Sequence, residues 1–268
     1  MRARGWLALG LVVGLAAGLV GCGQEASPAR QSPVAAPDLV QVYGDEGLTP
    51  AFGVCAEGAQ IGLGRSVNIG VTSITGGVAE LWLNYGEGGQ VDAKAGDAVV
   101  LPGAGLLVIA ATDSADGFLG IGAGQGSLTY TFEPFAADGA PGAGEQPAAS
   151  RAEERPAWAQ GESWPGQVVT EGEVSGDAAA VTVELTGLTA DDLYAYTDQT
   201  EASVRLSAVV SWPGGSQAVT DVPTGSVVEI PGAGWVVFSS FLSGNEARGD
   251  QPRIQWGFVP RLPYDRLV

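Results

Sequence analysis

The feature that most limits this chain is a pair of matched segments, "LPGAGLLVIA" at 101–110 and "IPGAGWVVFS" at 230–239. A glycine-rich tetrapeptide before an apolar run is either a phosphate-cradling loop or a turn between strands. A dinucleotide loop needs G-x-G-x-x-G followed by a helix whose N-terminus faces the pyrophosphate. Here the third glycine is missing and the following residues favour strands. A P-loop would need Gly-Lys-Ser/Thr, which the chain lacks. A hairpin fits both copies. Pro102 presets φ at the first central turn position, and Gly103 supplies the positive φ that a type II turn needs at the second. Gly105 is placed to add a bulge as the next strand begins. Pro231, Gly232 and Gly234 take the same roles. The tetrapeptide recurs at 141–144 without flanking alternation, so the strands around it carry the repeat.

Other blocks recur in the same order. "VNIGVTSI" at 67–74 aligns with "VTVELTGL" at 181–188, with Thr72 in register with Thr186. "AELWLNYGEGGQ" at 79–90 resembles "RLSAVVSWPGGSQ" at 205–217. "LTYTFEP" at 128–134 aligns with "IQWGFVP" at 254–260, putting Leu128, Tyr130 and Phe132, or Ile254, Trp256 and Phe258, on one face. Strict alternation is the mark of a half-buried strand. The expectation is an all-β chain of two tandem related small β-sandwich or β-barrel domains, at 39–135 and 161–268. A Pro/Gly/Ala/Glu-rich linker spans 136–160, and Trp158 and Trp164 are expected to pin its end onto the second domain. The second copy carries an insertion at 189–203.

The 42 glycines suit a strand-and-turn protein, and charged residues make up 16%. The net charge of −18 repels phosphate backbones, which argues against nucleic acid as a partner. The absence of histidine removes the commonest general base, the commonest metal ligand and any Ser-His or Cys-His pair. No enzymatic activity, cofactor or metal is expected.

The chain opens "MRARGWLALGLVVGLAAGLVGCGQ". Arg2 and Arg4 precede an apolar stretch from Trp6 to Val20, the pattern of a secretory signal and short for a bilayer span of about 20 apolar residues. The junction "LVGC", 19–22, resembles the lipobox of bacterial lipoproteins. That resemblance covers the first two dozen residues. It implies removal of 1–21, diacylation of Cys22 as the new N-terminus, and anchoring at the extracytoplasmic face of the cell membrane. Residues 22–38, rich in Pro, Ala and Ser, then read as a flexible tether. With Cys22 acylated, Cys55 has no disulfide partner and reads as a small buried hydrophobe.

Two acidic clusters are candidates for chemistry. Asp113 and Asp116 beside Gly117 resemble part of a calcium loop without its further ligands. The insertion gathers Asp191, Asp192, Asp198 and Glu201 with Tyr194 and Tyr196. Paired carboxylates could serve glycoside hydrolysis, aromatic faces can stack sugars, and Asp191 and Asp192 could equally open a short helix capped by Thr189. Asp191, Asp192, Tyr194 and Tyr196 are the candidate ligand-binding residues. The expected role is a non-enzymatic, lipid-anchored envelope module that is structural or binds a protein or carbohydrate partner. The alternative is a lipoprotein that captures a carbohydrate or metal ion.

Overall fold

The computed structural model describes residues 40–42, 48–64, 67–84, 88–114, 126–135, 156–159, 166–177, 180–194 and 204–268. The signal segment, Cys22, the tether, most of the linker, Trp164, Asp116, Tyr196, Asp198 and Glu201 lie outside them.

The regular structure of the described residues is almost entirely strand, in four sheets. The first copy contributes β2 (Ala51–Ala56), β3 (Gln60–Gly62), β4 (Asn68–Thr75), β5 (Val78–Leu83), β6 (Gly89–Lys94), β7 (Asp97–Leu101), β8 (Gly105–Asp113) and β9 (Ser127–Pro134). The second contributes β10 (Gln167–Thr170), β11 (Val174–Gly176), β12 (Thr182–Thr189), β13 (Arg205–Trp212), β14 (Gly215–Pro223), β15 (Ser226–Ile230), β16 (Gly234–Leu242) and β17 (Arg253–Pro260). Strands β3 to β6 make a four-stranded sheet, as do β11 to β14. The orders β7-β8-β9-β2 and β15-β16-β17-β10 run through two larger sheets. The two topologies match strand for strand.

Each sheet pair encloses one core. In the first copy Ile69, Leu81, Leu107, Leu128 and Phe132 are fully buried together; in the second, Val183, Leu185, Phe238, Trp256 and Phe258 are. Burying each large side chain contributes roughly 1.5–3 kcal/mol. Strands β5 and β13 alternate in burial because one face meets solvent. The apolar runs of β8 and β16 are buried on both faces and show no alternation.

Irregularities repeat too. The register shifts between Val71 and Ser73 and between Leu185 and Gly187, so the aligned Thr72 and Thr186 are bulge residues. Ala110 and Ser239 are bulged in the same way, in β8 and β16. A bulge raises local twist, which helps a flat sheet curl over a core.

The PGAG segments at 102–105 and 231–234 are hairpin tips. The Ala104 N–H donates to the Leu101 carbonyl at 2.9 Å, and that of Ala233 to Ile230 at 3.0 Å, closing turns with Gly103 at φ 74° and Gly232 at φ 71°. Gly105 does not form the expected bulge, because β7 and β8 pair in unbroken register. Close approach is what excludes a side chain: a Cβ there would sit 2.3 Å from the Glu133 carbonyl oxygen, and one at Gly234 2.1 Å from that of Val259.

Two short strands pair with the sheet of the other copy. β1 (Val40–Val42) pairs antiparallel with β15, in the second copy's sheet. β18 (Arg266–Leu267) pairs parallel with β7, in the first copy's sheet. Each terminus thus covers the otherwise open edge of the other half, where unpaired N–H and C=O groups would invite aggregation. The tail before β18 lays Leu262 and Tyr264 over Ala98, Leu106 and Val108 on the outer face of the first large sheet. Phe52 of β2 packs on Val227, Trp235, Val237 and Val259 of the second. The described residues from 40 to 268 consequently belong to one compact unit. The linker's described end behaves as expected: Trp158 packs on Phe258 with ring centroids 6.3 Å apart.

Candidate functional site

β12 ends at Thr189, and the insertion leaves the sheet there. Asp191 and Asp192 are exposed, and so is Tyr194. None of the described residues 189–194 is helical. The Asp192 carboxylate accepts the Tyr194 N–H at 2.9 Å, which closes a local turn, and Thr189 stays in the sheet opposite Arg205. An aspartate that can bond its own backbone two residues on competes with helix initiation. The insertion is tied back where Gly244 N–H donates to the Leu193 carbonyl at 3.0 Å. Three of the four candidate ligand residues therefore share one surface segment, and Tyr196 lies outside the described residues. Among the described residues no three of His, Cys, Asp and Glu come together to hold a metal ion.

Cys55 is a free cysteine on β2, 6% exposed. Burial pushes its thiol pKa up, opposite to the shift that makes a reactive thiolate. Tyr130, on the neighbouring strand, is raised by its own burial and by the charge Cys55 would carry.

A second surface lies on the first copy. On the outer face of the β3–β6 sheet, Gln60, Gly70, Trp82 and Gln90 are directly opposed across four strands. Trp82 is 49% exposed, a high value for so large an apolar side chain. Beside this row runs another, Ser73, Glu80 and Asp92. The two oxygens of Glu80 accept from Ser73 Oγ at 3.0 Å and from Gln90 Nε2 at 2.8 Å. On the opposite flank lie Asn68 and Asn84, joined by a 2.9 Å backbone hydrogen bond. Gly70 leaves one side of Trp82 without a neighbouring side chain. Other described tryptophans are placed differently: Trp212 packs against the second core and Trp235 is buried beneath Arg261, whose guanidinium lies 4.5 Å from its ring. The clue to this site was the run of outward positions Glu80, Trp82 and Gln90, legible once the strand pairing is known.

Fold and surface together define an all-β protein of two topologically matched sandwiches, with one exposed aromatic face on the first. No family model matches the chain, and comparison with curated proteins and with solved structures finds no match.

Proposed function

We propose that this chain is a bacterial lipoprotein: Cys22 carries the lipid, 22–38 tethers the folded part, and two β-sandwich units act outside the cytoplasm as a non-enzymatic partner-binding or structural module. The observation that carries this reading is the ordered run of Arg2 and Arg4, an apolar stretch, and "LVGC". Acyl chains bind a bilayer at about 0.8 kcal/mol per buried methylene, enough for two or more chains to hold an acidic protein that anionic headgroups would repel. The lack of histidine supports a binding role over catalysis. Cell fractionation tests the anchor. Wild-type protein should sediment with membranes and Cys22→Ser should be released; equal membrane retention of both would refute the reading.

A second reading is capture of a carbohydrate or metal ion at the insertion. The exposure of Asp191, Asp192 and Tyr194 on one segment supports it. Saturating calcium should then raise the thermal midpoint, because a ligand that binds only the native state stabilises it. An unchanged midpoint would remove calcium from this reading.

A further inference from the structure

The two sandwiches provide an internal comparison, because the same sheet face occurs in both. Where the first copy places Gln60, Gly70, Trp82 and Gln90, the second places Val174, Glu184, Val209 and Ala218 at the matching register positions. Glu80 is matched by Ser207. The fold is therefore satisfied without an aromatic ring or carboxamides on this face. The first copy carries an exposed indole set among amides and a carboxylate for some reason other than holding the sheet together.

We propose that the Trp82 face binds a neutral glycan chain. The ring offers an apolar plane against which the C–H face of a sugar can stack, and tryptophan combines a large contact area with little rotamer freedom to lose. Sugar hydroxyls both donate and accept. Gln60, Gln90 and Asn68 can do both as well, and Glu80 accepts. Gln90 and Glu80 are already held to each other, and Glu80 to Ser73, so two of the polar partners need little ordering on binding. Charge selects against an acidic glycan. Glu80 and Asp92 flank the ring, while the nearest cation in the register, Lys94, lies beyond Glu80, opposite Val78. Shape selects a chain over a single sugar. The row crosses three strand spacings, about 14 Å, on an open sheet face.

This inference deepens the partner-binding reading and rests on it, but its test does not involve the anchor. Affinity electrophoresis of the full-length protein suits the purpose, since a net charge of −18 drives it steadily through a native gel. The gels contain a β-1,4-glucan, a β-1,3-glucan, a mannan or a galactan, with polygalacturonate as the anionic counterpart. At least one neutral polysaccharide should retard the wild type. Trp82→Ala should weaken that retardation tenfold or more, Trp82→Tyr should keep most of it, and Val209→Ala on the second copy should change nothing. No retardation by any neutral polysaccharide would overturn the proposal. So would retardation that survives Trp82→Ala, retardation by polygalacturonate alone, or a Trp82-dependent dimer in sedimentation that accounts for the face. Cys22→Ser fractionation reads the anchor separately, so failure of either leaves the other standing.

Discussion

Asp97 is the point at which the C-terminal strand is fastened. Its side chain is 2% exposed and accepts three hydrogen bonds: from Lys94 N–H at 3.0 Å, Arg266 Nε at 3.1 Å and Arg266 Nη2 at 2.7 Å. Asp97→Ala separates two effects. Lys94 N–H loses its acceptor, which costs about 1–3 kcal/mol if no water replaces it. The Arg266 pair is worth about 1 kcal/mol or less, because its guanidinium side is more than half exposed and well solvated. The first loss falls on the whole fold and should lower the midpoint by roughly 2–4 °C per kcal/mol in a chain of this size. The second falls on the clasp. The amides of Asp265 and Val268, bonded to Gly96 and Ala98 carbonyls at 2.8 and 3.0 Å, should exchange about fivefold faster. Asp97→Asn keeps an acceptor for Lys94 and should loosen the clasp with a smaller change in midpoint. The pH dependence has a defined sign. Burial alone would raise the Asp97 pKa, but the Arg266 hydrogen bonds, the Lys94 N–H and both cationic charges outweigh it and hold the value below that of an ordinary aspartate. The stabilisation is therefore complete above the unfolded value, about pH 4, and is lost as pH falls through the folded value. Hydrogen exchange followed by mass spectrometry reads the tail directly. Unchanged protection of Asp265 and Val268 in both variants would refute this account of the clasp.

Gly105→Ala should cost about 3 kcal/mol or more, since the opposing atom is backbone and cannot swing aside, whereas Gly103→Ala should cost only the strain of its positive φ, about 1 kcal/mol. Urea denaturation distinguishes the two, and equal costs would show that turn conformation rather than close approach demands both glycines. Cys55 should resist thiol reagents at neutral pH until the protein unfolds, because burial both shields it and raises its pKa; labelling as fast in native buffer as in denaturant would contradict its placement.

What could be read in advance followed from local periodicity. The alternation at β4, β5, β9, β12, β13 and β17 and the repeated turn at Pro102 and Pro231 follow from side-chain and turn chemistry within a few residues. The pairing of Thr72 with Thr186 was visible as alignment, but its meaning as a bulge required the partner strand. The exchanged termini were not legible. β1 and β18 are three and two residues long, and neither carries a pattern that names a partner so distant in sequence. Nothing local in the sequence marks Asp97, because its partner, Arg266, stands 169 residues further along. Trp82 was visible as a residue but not as a site, since the row from Gln60 to Gln90 is assembled from four separate strands. The helix weighed at Asp191 lost to an aspartate turn, a competition between two local options that sequence alone leaves nearly balanced.

The proposed anchor depends on where the mature chain begins. Mass spectrometry of the protein isolated from its native membrane measures this directly. The prediction is an N-terminal peptide that starts at Cys22 with a diacylglyceryl group on its sulfur, and no peptide from residues 1–21. A mature chain that retains Arg2 and Arg4, or one that carries an unmodified Cys22 thiol, would contradict it.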